Sequence, residues 1–203
     1  SGPNCPANCM EYPFNELLLY YPRDYYWMYM AVIQLFAYVI FMVSNHFVIQ
    51  SGNKLFSFLS ITFTIIASTV LLIAYFVQFA VVPLSVMNGE TEGIALLTQY
   101  NGHGIFIAME ELGYICMSIS FLFMSFVFKN ESRLEKSIKI ILITGFILLF
   151  CCFVFYVVKY GLDRSYRFEV AAISVNWMTA IIVGILMSIF IRKKTIVMKQ
   201  NKL

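Results

Sequence analysis

Between Leu55 and Val82 the chain runs for 28 residues without one Asp, Glu, Lys or Arg. Few structures accept so long an uncharged stretch. In hydrocarbon no water satisfies the backbone N–H and C=O groups, so the segment must bond to itself as a helix. At about 1.5 Å of rise per residue, about 20 residues cross a bilayer. Further apolar runs lie at about 26–48, 104–128, 138–158 and 170–191. Composition agrees: the 203 residues are 61% hydrophobic and only 12% charged, whereas a soluble domain carries about 25% charged residues. The expected fold class is all-α, an integral membrane bundle of five transmembrane helices.

The rest of the chain is punctuation around these spans. Residues 1–24 read as a polar-to-amphipathic tail, 25–192 as the membrane domain and 193–203 as a basic tail. The chain opens on Ser1 rather than Met, and its first apolar run is too long for a signal-peptide core, so it is read as a true span. Tyr25, Tyr26 and Trp27 mark a headgroup interface, where amphipathic rings concentrate, and residues 13–21 are expected to form a short surface-lying helix. Pro83 closes the second run, and Asn88-Gly89 and Asn101-Gly102 punctuate the longest loop.

Orientation follows from the distribution of Lys and Arg. One side carries four, Arg23, Lys159, Arg164 and Arg167, and the other carries the remaining ten of the 14. The positive-inside rule places the ten in the cytoplasm. The N-terminus is then outside, the C-terminus inside, and the location a cell membrane. The basic tail reads first as a topology signal and second as a site for anionic lipid.

Against this apolar background, Glu110 and Glu111 stand out about 10 Å below the outer end of the third span. An ionisable residue there costs about 2.5–3.5 kcal/mol on insertion scales and by default marks a site. Other spans place polar groups at a similar level: Gln34 on the first, Tyr75 and Gln78 on the second, Asn176 and Trp177 on the fifth. On the third span His103, Glu110 and Tyr114 share a face at helical spacing. Ala172, Asn176, Ala180 and Gly184 form a small-residue stripe suited to close helix approach. The span at 138–158 is apolar all round and expected at the periphery, with the other four around a polar interior.

Two readings compete for the glutamates. In one they are interhelical glue, at about 0.6 kcal/mol per bond. In the other they line a cavity for a lipid-like or amphipathic small molecule, with Glu110, Glu111, His103, Tyr114, Gln34, Tyr75, Gln78, Asn176 and Trp177 binding it. The same pocket would serve an enzyme, Glu110 and Glu111 being the catalytic candidates for acid–base transfer. A structural or regulatory partner subunit is the third class. Membrane lipids are expected neighbours. No cofactor is called for and no metal: His46 and His103 fall on opposite membrane faces, and no H-E-x-x-H occurs. The basic residues lack the aromatic interleaving of a nucleic-acid surface.

Five cysteines remain. Cys116, Cys151 and Cys152 lie in spans and read as small core or lipid-facing residues. Cys5 and Cys9 either form a disulfide, which needs an extracytoplasmic tail, or stay as free thiols.

The segments LLTQYNGHGIFIAMEELGYICMSISFLF (97–124) and YGLDRSYRFEVAAISVNW (160–177) resemble those of small prokaryotic multi-pass membrane proteins with no assigned function. In architecture alone, five helices with intramembrane glutamates and an Asn/Trp helix are similar to the emopamil-binding, sterol-isomerase-type proteins. That analogy transfers no residue roles.

Overall fold

The computed structural model describes residues 10–48 and 54–200; the side chains of 48 and 195–200 are not described. Cys5 and Cys9 lie outside the described residues. Every regular element among the described residues is helical. After two short 3-10 helices, Asn15–Leu19 and Arg23–Tyr25, the α-helices in chain order are α1 (Tyr26–Val48), α2 (Lys54–Ala80), α3 (Val82–Met87), α4 (Ile94–Leu97), α5 (Ile105–Ser125), α6 (Arg133–Tyr160) and α7 (Tyr166–Gln200). Five of them, α1, α2, α5, α6 and α7, are long and apolar enough to cross a membrane.

Where the helices begin and end has local causes. Pro83 lacks an N–H, so the second span breaks after Ala80 and resumes as α3 with the proline in its first turn. The helix α6 starts at Arg133, earlier than its apolar run, because Ser132 caps it by accepting from the Glu135 amide at 3.1 Å. Glu135 in turn accepts from the Glu131 amide at 2.9 Å. Ser and Glu three residues apart are a helix-start signal that hydropathy alone overlooks.

The packing order corrects one expectation. Four helices do not surround a common polar interior. The helix α5 is the hub, 61% buried over its most apolar window against 11% for α6, and it packs along α2, α6 and α7 while α1 lies mainly on α2. The peripheral place of α6 is as expected.

Two glycines set the spacing. A Cβ on Gly113 would sit 2.5 Å from Leu71 on α2, and one on Gly145 would sit 2.5 Å from Thr179 on α7. The small-residue stripe on α7 works differently from its reading in the sequence. Ala172 and Asn176 are buried, but a Cβ on Gly184 would meet nothing within 4 Å. The close approach to α7 is made by Gly145.

One end of the bundle carries the N-terminal segment and the connection between α2 and α5, a loop-rich end. The expected surface helix is here a 3-10 helix, Asn15–Leu19. Its Leu17 is fully buried in a small apolar cluster with Met10, Val82, Ile94 and Tyr100. Tyr100 donates to Asp24 at 3.1 Å, tying the segment to the loop. Burial above all, with Tyr25 and Asp24 adding to it, raises the Tyr100 phenol above its ordinary pKa and keeps it a donor.

Candidate functional site

The close approach of α2 and α5 at Gly113 brings Tyr75 against Glu110. The Tyr75 hydroxyl donates to Glu110 Oε1 at 2.8 Å and lies 3.0 Å from the Tyr114 hydroxyl. From α7, Trp177 Nε1 donates to the Tyr114 hydroxyl at 3.1 Å. Asn176 Nδ2 donates to the Tyr114 carbonyl at 3.1 Å and to Ala172 O at 2.9 Å. Five of the residues singled out from sequence thus form one network: Tyr75, Glu110, Tyr114, Asn176 and Trp177.

The partner of Glu110 is not Glu111 but Glu169, in the first turn of α7. Their carboxyl groups are near enough to interact directly. Glu110 is fully buried and Glu169 is 7% exposed. The Oε2 atom of each is buried and has no hydrogen-bond partner. Two bare carboxylates in contact repel; a single proton between them turns the repulsion into an O–H···O hydrogen bond. The pair can therefore hold, give or take a proton.

Glu111 points elsewhere. It accepts from Arg164 on the α6–α7 turn through two bonds, Nε to Oε1 at 3.2 Å and Nη2 to Oε2 at 2.8 Å. This fork-to-fork geometry neutralises Glu111. The Arg164 side chain is 32% exposed and that of Glu111 is 9%.

Besides Glu111, three sequence-predicted members are not in the network. His103 precedes α5 and is exposed, its amide bonded to Asn101 Oδ1 at 3.0 Å. Gln78 is buried but clamps the loop, donating to Leu97 O and accepting from the Gln99 amide at 2.9 Å. Gln34 is half-buried on α1 and takes no part in the bonds that join Glu110, Tyr75, Tyr114, Asn176 and Trp177. Depth put Gln34 and Gln78 at the right level and helical spacing put His103 on the same face, but rotation about the helices and the course of the loop turned them away.

The acid pair backs onto an open cleft of about 540 Å³ at the loop-rich end. Glu169 forms part of its wall, among Trp27, Phe106, Tyr166, Ile173 and Trp177, with Arg23, Asp24, Gln99 and Tyr100 also lining it. Trp27 packs edge-on against Tyr75 at 5.5 Å between ring centroids, 81° apart. At the rim Arg23 and Asp24 neutralise each other at 2.8 Å. Glu169 is not singled out from the sequence, and Arg164 enters there only as a charge that sets orientation. The available signal was helical spacing: Glu169 lies seven residues before Asn176, two turns away on the same face.

A second hydroxyl cluster lies farther along α2. Ser60 donates to Ser120 O at 2.9 Å, and Thr64 and Ser120 hydroxyls are 2.7 Å apart. Thr64 also reaches the Tyr38 hydroxyl at 3.3 Å. This cluster joins α1, α2 and α5 and is structural glue of the kind expected inside membranes.

Among the described residues, no three His, Cys, Asp or Glu side chains are grouped so as to hold a metal ion. In comparisons with protein families, characterised proteins and solved structures, the chain matches none.

Proposed function

We propose that this protein is an integral membrane protein that binds a lipid-like or amphipathic small molecule in the aromatic-walled cleft, through Glu169 and Glu110. One observation carries the reading. Two neighbouring glutamates each keep a buried Oε2 atom without a hydrogen-bond partner, and one of them, Glu169, lines a cleft of about 540 Å³. A head group that donates hydrogen bonds meets the Glu169 carboxyl at the wall, with Glu110 buried behind it, while Trp27, Phe106 and Ile173 receive an apolar portion. Few convergent polar groups in an otherwise apolar concavity is the usual make-up of a ligand site. By the distribution of Lys and Arg, the cleft opens on the outer side of a cell membrane, with the N-terminus outside and the C-terminus cytoplasmic.

The test is mass spectrometry of small molecules extracted from purified wild type and from Glu169→Gln. Wild type is expected to carry an amphiphile that the variant loses, with both unfolding at similar temperatures. If neither carries one and Glu169→Gln unfolds at a much lower temperature, the acids are packing groups of a structural subunit.

A second reading rests on the same pair. Glu169 at the cleft wall and Glu110 behind it place two acids at one site, as acid–base catalysis uses. Turnover of a bound amphiphile by wild type, with binding but no turnover by Glu110→Gln, would favour it.

A further inference from the structure

The opposite end of the bundle holds a separate polar site. Asn45 lies in the last turn of α1 and is 3% exposed. Both its Nδ2 and its Oδ1 are buried without a hydrogen-bond partner. An amide left so in an apolar interior carries its full desolvation penalty, and native structures seldom tolerate one. Asn45 lines a small cavity of about 10 Å³ together with His46, Ser57, Ser60, Met42 and Met124. That is about the least volume that admits a water molecule, and water needs at least two polar partners there.

We infer that Asn45, Ser57 and Ser60 hold one buried water molecule that bridges α1 to α2. The donor count supports it. His46 Nδ1 and the Ser57 hydroxyl are 2.8 Å apart. If His46 accepts, Ser57 spends its proton but keeps a lone pair; if His46 donates, Ser57 keeps its proton. Either tautomer leaves Ser57 a free valence for water. Ser60 donates to Ser120 O and keeps acceptor capacity. Asn45 supplies both a donor and an acceptor, so the water makes bonds of both senses. No carboxylate lines the cavity, which disfavours a cation. The site lies within one turn of the end of α1, so water reaches it without crossing the bundle.

The water also explains why an Asn is placed here. It joins the α1 terminus to the hydroxyl cluster of Ser60, Thr64 and Ser120, which would otherwise end in an unsatisfied amide.

The test has two arms on the full-length purified protein. An experimental structure at a resolution that shows ordered water is expected to place one isolated peak within hydrogen-bonding distance of Asn45 and Ser57. An Asn45 side chain bonded to protein atoms with no such peak overturns the proposal, as does a peak with the crowded oxygen shell of a metal ion. In the second arm, unfolding temperatures are compared for Asn45→Ala, Ser57→Ala and the double variant. The two side chains share no direct bond, so additive losses count against a bridge. A double variant that loses clearly less than the sum supports a shared water.

Discussion

At the residue scale the decisive fact is that adjacent glutamates do different work. Glu110 and Glu111 differ by one position, about 100° around a helix. That turn sends Glu110 to Tyr75 and Glu169 and sends Glu111 to Arg164. The Glu111–Arg164 pair is partly exposed, so its worth lies between the surface and buried limits. Arg164→Ala is expected to destabilise by about 1–3 kcal/mol, because a nearly buried carboxylate is left unpaired. Adding Glu111→Gln should recover most of the loss. Chemical or thermal unfolding of the two single variants and the double variant in one detergent measures both quantities.

At the element scale the site depends on how closely helices approach. Leu71 is fully buried and Gly113 leaves room for it, which brings Tyr75 to Glu110. Gly113→Ala should cost about 1–3 kcal/mol through overpacking and loosen the Tyr75–Glu110 bond. Gly184→Ala is the control: nothing lies within 4 Å of the added methyl group. There the better helix propensity of Ala predicts a gain of up to about 1 kcal/mol. Thermal unfolding of both variants under identical conditions checks the contrast, and equal losses at the two glycines would refute it.

At the scale of the whole molecule, one end gathers the N-terminal segment, the α2–α5 loop and the α6–α7 turn around the cleft. The other carries the larger share of the described Lys and Arg residues, among them Lys54, Lys129, Arg133, Lys136 and Lys139. Leu162 on the α6–α7 turn is 99% exposed and so reports on sidedness. In a background without native cysteines, Leu162→Cys should react with a membrane-impermeant thiol reagent in intact cells. A cysteine at Glu131, on the opposite connection, should react only after lysis. The reverse pattern would invert the proposed orientation and place the cleft on the cytoplasmic side.

How far the sequence alone reached is clearest when α5 and α7 are compared. The spans were legible because hydrocarbon imposes a one-dimensional demand, a length of chain that satisfies its own backbone. The level of the polar network was legible for the same reason: rise per residue converts position to depth. Tyr75, Glu110, Tyr114, Asn176 and Trp177 follow from those two rules. Glu169, Arg164 and the loss of His103, Gln34 and Gln78 do not. They depend on rotation about each helix axis and on the fold of the 88–104 loop. Those were decided by local packing, with Leu71 against Gly113, Thr179 against Gly145 and Gln78 clamping Leu97 and Gln99. The sequence by itself determined that two adjacent glutamates lie more than one turn inside an apolar helix long enough to cross a membrane. Only the tertiary structure decided which one faces another acid beside a cleft and which one faces an arginine, because a single turn of about 100° separates the two outcomes.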